Sequence, residues 1–106
     1  MPNMHPIVAG ATLVQAVANA DGDLSDDEAG ATNEWLYYNV GISGARPYID
    51  QVFENKREYL IKHGVDSYNQ KLEEDAFAVL NSEPLEYRQM VICFARHVAR
   101  ADWSFD

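Results

Sequence analysis

The sequence holds a single cysteine, Cys93, so no intramolecular disulfide can form and a reducing compartment is the default setting. Basic residues are scarce as well: eight Lys and Arg stand against 17 Asp and Glu, for a net charge of −9. Binding to DNA, RNA or an anionic membrane needs clustered cations that neutralise phosphates, so this balance argues against direct nucleic-acid binding. It favours solubility, cations and basic protein surfaces. Long apolar runs are also missing. The most apolar stretch, Ile7 to Ala18, is shorter than the roughly 20 residues a bilayer-spanning helix needs, and no basic-then-apolar leader pattern stands before it. The expectation is a soluble cytoplasmic protein with no membrane insertion, one domain over residues 1–106.

Catalytic signatures are equally thin. There is no glycine-rich phosphate loop and no serine nucleophile elbow. His5, His63 and His97 are far apart in sequence, and none has a partner at zinc-ligand spacing. Cys93 and His97 stand one helical turn apart, a pair read here as core packing rather than nucleophile and base.

What the chain does have is helical period nearly throughout, and no run alternates strictly as a half-buried strand would. Five helices follow. The first follows Pro6, a residue tolerated at a first helical position, turns Leu13, Val14 and Val17 inward, and ends at Asp21-Gly22. The second begins after Ser25 and carries Leu36 and Val40. Gly41 to Gly44 reads as a break, after which Pro47 opens a third helix with a stripe of Ile49, Val52, Phe53 and Leu60. His63-Gly64 closes it. The fourth runs from about Asp66 to Leu80, with Val65, Tyr68, Leu72, Ala76 and Val79 in register. The fifth follows Asn81-Ser82-Glu83-Pro84, and its Leu85, Met90, Val91, Phe94 and Val98 mark it as the central helix. Short connections between them make an all-α compact bundle.

The first and last helices end alike. Val17-Ala18-Asn19-Ala20-Asp21-Gly22-Asp23-Leu24-Ser25 is echoed by Val98-Ala99-Arg100-Ala101-Asp102-Trp103-Ser104-Phe105-Asp106, with Val, two Ala and Asp coinciding. An internal repeat after two apolar helices implies a pseudo-two-fold pair of helix-loop units. The first copy, at Ala20, Asp21, Gly22, Asp23, Leu24, Ser25 and Glu28, resembles the TerB-like (tellurite-resistance) family of small helical domains. In the second copy Trp103 stands where that family has Gly, and the helix expected after it is absent. The resemblance implies a stress-response association, with membrane partners in some systems.

Two accounts of the motif stay open. In one, Ser25-Asp26-Asp27-Glu28 is a capping box, with Asp26 and Asp27 favourably placed at the positive end of the helix dipole. In the other, the loop is a divalent-cation site. With Gly22 as the turn glycine of a calcium loop, Asn19, Asp21 and Glu28 fall at ligand positions, but Val17 replaces the first ligand. The cation reading therefore takes Asp21, Asp23 and Glu28, joined by Asp102 and Asp106 from the second copy, as the ligands of a Ca2+ ion.

Aromatic content is high, and Trp35-Leu36-Tyr37-Tyr38 cannot all be buried on one helix. Trp35, Tyr37 and Tyr38 are accordingly the expected partner-binding residues. The function expected is a protein-interaction domain of a bacterial or phage stress or defence system, monomeric or weakly dimeric and tuned by a cation. The rival is a small acidic phage inhibitor that presents carboxylates where a nucleic-acid-binding protein expects phosphates.

Overall fold

A helix without charge can be buried on every side, and the stretch after Pro6 meets that condition. PIVAGATLVQAVA forms α1, Pro6–Ala18. It contains no Asp, Glu, Lys or Arg, so no residue along it demands solvent. The computed structural model describes the backbone over residues 4–18 and 25–102, and side chains over 4–18 and 30–98. Four further helices are described: α2 Ser25–Gly44, α3 Arg46–His63, α4 Tyr68–Asn81 and α5 Leu85–Asp102. The described chain is an all-α bundle, and α1 packs against all four other helices. Its Val8, Ala9, Ala11, Val14 and Ala18 are buried. Its small side chains at Ala9, Gly10 and Ala11 let neighbours approach closely from several directions.

This corrects the expectation that α5 is central. Val91 and Val98 of α5 are buried, but Met90 and Phe94 are only partly so and Leu85 is exposed. The reason is charge. Glu86, Arg88, Arg96, Arg100 and Asp102 are distributed along α5, so it is amphipathic and lies at the edge with one face inward.

The helix boundaries follow local chemistry. α2 is kinked at Gly41, whose backbone angles (φ 80°, ψ 165°) lie in a region that side-chain-bearing residues avoid. The break is thus one residue, and Ile42–Gly44 returns to helix before the bend at Ala45. α3 carries Pro47 in its first turn and ends at Gly64, whose N–H donates to the Leu60 carbonyl at 2.9 Å. Its inward stripe differs from the one expected: Val52 is buried and Ile49 and Tyr59 are partly buried, whereas Phe53 and Leu60 are exposed. α4 starts at Tyr68, two residues later than the periodicity placed it, which leaves Val65 exposed in the preceding turn. Leu72, Ala76 and Val79 are buried as the periodicity implied.

Polar bonds tie the helices together. Gln15 Nε2 donates to Thr32 Oγ1 at 3.0 Å between α1 and α2, both residues being buried. Between α3 and α4, the Tyr59 hydroxyl donates to Asp75 Oδ2 at 2.5 Å. Burial, and then that hydrogen bond to a carboxylate, push the Tyr59 phenol up to about 12. On the outer face of α3, Arg57 donates to Glu54 at 2.6 Å and holds that carboxyl below its ordinary value. No helix among the described residues is long and apolar enough to cross a membrane.

Candidate functional site

The N-terminal half of α1 is closed by aromatic side chains. Trp35, from α2, is fully buried, and its indole N–H donates to the Ile7 carbonyl at 2.9 Å. Gly10 makes this fit possible. A Cβ at that position would stand 2.3 Å from Trp35 Cζ2, so the indole lies directly against the α1 backbone. Phe94 meets Trp35 edge to face at 5.3 Å, and Tyr87 does so at 6.3 Å. The Tyr87 hydroxyl donates to the Pro6 carbonyl at 2.9 Å, and burial raises its phenol well above the ordinary value. Carbonyl oxygens have two lone pairs, so Pro6 and Ile7 can accept these bonds in addition to helical ones.

Trp35 is therefore removed from the expected partner-binding set. Its side chain is a core residue, because a hole between α1, α2 and α5 accepts the whole indole and supplies an acceptor for its N–H. Tyr37 and Tyr38 do face outward, 41% and 68% exposed. Tyr38 leans on Phe94 at 5.9 Å, and His97 approaches the same ring at 6.0 Å. Cys93 and His97 are exposed rather than packed in the core. That follows from the position of α5 at the edge of the bundle.

Among the described residues, the C-terminal half of α1 is left open. α4 and α5 are consecutive in sequence, yet both pack on α1 rather than on each other. Between them lies a groove of about 550 Å³ with Thr12, Leu13, Ala16 and Val17 of α1 in its lining. α4 contributes Asn69, Leu72, Glu73 and Phe77, α5 contributes Val91, Ile92 and Ala95, and Lys56 reaches it from α3. Phe77 is 58% exposed and Ile92 53% exposed. The lining is mostly apolar, with Thr12, Gln15, Lys56, Asn69 and Glu73 as its polar members. Such a surface can bind by desolvation but offers no convergent acid, base or nucleophile. Sequence reasoning missed it because the inward stripes of α4 and α5 leave out Phe77 and Ile92. The available signal was the spacing: both lie off the stripe that the periodicity assigned to their helix.

The proposed cation ligands cannot be placed. Asp21, Asp23 and Asp106 lie outside the described residues, as do the side chains of Ser25, Glu28 and Asp102, so neither the capping box nor the Ca2+ reading is decided by geometry. Among the described residues, no group of three His, Cys, Asp or Glu side chains is arranged to hold a metal ion. The chain matches no protein-family model, no curated protein and no solved structure.

Proposed function

We propose that this chain is a non-enzymatic protein-interaction domain that docks its partner in the α4–α5 groove. The observation that carries this reading is the exposure of Phe77 and Ile92 at the edge of an apolar groove floored by α1. Exposed apolar surface that is contiguous, and rimmed by polar residues such as Lys56, Asn69 and Glu73, is the common mark of a binding face. Tyr37 and Tyr38 form a second exposed aromatic surface on α2. The cellular setting, a bacterial or phage stress or defence system in the cytoplasm, is supported by the TerB-like segment Ala20–Glu28 and by the lone cysteine. A cation at Asp21, Asp23 and Glu28, with Asp102 and Asp106, tunes the interaction in this reading. Its support is the crowding of carboxylates in the motif, whose repulsion a cation relieves.

The test is cross-linking followed by co-purification from the native host, comparing the wild type with Ile92→Glu. A partner cross-linked near Phe77 or Ile92 and lost in the variant is the expected result. A partner retained in full by the variant moves docking to the Tyr37/Tyr38 surface, and the absence of any partner removes the interaction role. For the cation, calorimetric titration with calcium, magnesium and manganese is expected to show weak binding, near 10⁻⁴–10⁻³ M because the first ligand is lost at Val17. A flat titration at millimolar ion removes the metal.

A further inference from the structure

The outer face of α3 is apolar where a solvated helix would be polar. At about 100° per residue, Ile49, Phe53, Leu60 and Ile61 fall within one arc of about 120°, turned away from the buried Val52. Phe53 is 59% and Ile61 73% exposed, and Leu60 is exposed as well. The same arc holds three charged residues, Arg46, Asp50 and Arg57. α3 as a whole carries four of the chain's eight Lys and Arg and three of its 17 acids. Two copies of this acidic chain can therefore meet along α3 without bringing net negative charge together.

The order of the charges within the arc fits a second copy of the same helix. Asp50 and Arg57 lie about 10.5 Å apart along the axis, with Phe53 near the midpoint. When two α3 helices pack antiparallel about a two-fold axis beside Phe53, Asp50 of each stands level with Arg57 of the other. The two Phe53 rings then meet at the centre. Parallel packing would set Asp50 against Asp50 and Arg57 against Arg57. Both side chains have capacity for this second partner. Asp50 is 62% exposed beside Arg46 at 3.3 Å. Arg57 is 64% exposed and donates to Glu54 through Nε and one terminal nitrogen, leaving further N–H groups of its fork.

We propose that α3 is the interface of a weak homodimer, an antiparallel helix pair with Phe53 at its centre and two Asp50–Arg57 bridges beside it. The face is separate from the α4–α5 groove, so the dimer stands or falls apart from the partner-docking reading. Its size sets its strength. α3 is about 27 Å long and a helix about 10 Å wide, a smaller contact than the roughly 800 Å² per partner of a standard interface. A dissociation constant on the order of 10⁻⁴ M is expected.

Sedimentation equilibrium of the chain from about 10 μM to 1 mM reads the monomer–dimer balance. A concentration-dependent dimer is expected. Phe53→Glu and Ile61→Glu should each weaken it about tenfold or more, since each buries a charge in the contact. Leu85→Glu, at an α5 residue that is also 59% exposed, should leave it unchanged. Circular dichroism checks that the variants remain folded. Charge reversal tests the orientation. Asp50→Arg alone and Arg57→Asp alone should each weaken self-association about fivefold. An equimolar mixture of the two should recover the wild-type affinity, because the mixed pair sets Arg against Asp at both bridges.

A monomer throughout the concentration range overturns the proposal. So does a dimer that survives both Phe53→Glu and Ile61→Glu, or one that Leu85→Glu dissociates equally, since the contact then lies elsewhere. No recovery in the mixture rules out the antiparallel pair, and with it the proposal.

Discussion

The two halves of α1 make a controlled comparison within one helix. Both are uncharged and both are flanked by other helices, yet the N-terminal half is sealed and the C-terminal half is open. Over Pro6, Ile7 and Gly10, large aromatic side chains fill the space, and Trp35 and Tyr87 donate to backbone carbonyls. Over Leu13, Ala16 and Val17 no aromatic ring among the described residues closes the gap between α4 and α5, and Phe77 and Ile92 remain more than half exposed. Shared hydrophobicity does not decide which surface is core and which is a docking face. What decides is whether a neighbouring helix carries a side chain of the right volume, with a satisfied polar end, to fill the space above it.

The comparison breaks most visibly if the sealed half is hollowed. Trp35→Ala is expected to cost about 3–5 kcal/mol, since it removes a fully buried indole and leaves a cavity. Urea denaturation measures this, and a cost under about 1 kcal/mol would mean that the sealed half collapses freely around the gap. Gly10→Ala attacks the same fit from the other side. The new methyl must occupy space 2.3 Å from Trp35 Cζ2, and the indole is held by its own hydrogen bond. Overpacking of this kind costs about 1–3 kcal/mol, opposed by the roughly 1 kcal/mol by which Ala favours helix over Gly. A net loss of stability is expected, and a net gain would show that the contact is slack.

Alkaline pH probes two phenols, Tyr87 against the N-terminal half of α1 and Tyr59 between α3 and α4. The folded-state values of Tyr59 and Tyr87 are both raised above the ordinary 10, chiefly by burial. The stability they contribute is fully present below pH 10. It is lost as pH rises from there through the folded value of Tyr59 at about 12 and beyond it for Tyr87. Denaturation midpoints should therefore fall above about pH 10, and Tyr87→Phe should flatten that fall. At neutral pH the same variant should lose about 0.5–1.5 kcal/mol with its bond to the Pro6 carbonyl. An unchanged alkaline profile would detach Tyr87 from the sealing of α1.

The smallest effect is expected in the open half. Phe77→Ser should shift stability by no more than about 0.5 kcal/mol, because its ring faces solvent. A loss of several kcal/mol would make Phe77 structural and remove the groove as a docking face.

Much of this architecture was legible in the residues. Five helices follow from spacing, and the start of α1 and both ends of α3 follow from Pro6, Pro47 and Gly64, since backbone chemistry acts locally. The lack of charge along α1 is the feature of the sequence that matches its central position. The amphipathicity of α5 then misdirected the reading, because a strong apolar stripe marks one buried face and not burial all round. Trp35, Tyr37 and Tyr38 form one run of sequence, and periodicity could say only that they face different ways.

The sequence alone determined the all-helical class, the absence of intramolecular disulfides, the acidic charge and the helix boundaries at Pro6, Pro47 and Gly64. Each is a property of a residue and its near neighbours along the chain. Only the tertiary structure decided that Trp35 is sealed against Gly10, that α1 rather than α5 is central, and that α4 and α5 part to leave a groove. Those outcomes depend on volumes and hydrogen-bond acceptors brought together from residues far apart in sequence, as Trp35 with Ile7 and Tyr87 with Pro6. No local pattern encodes which space a distant side chain will fill.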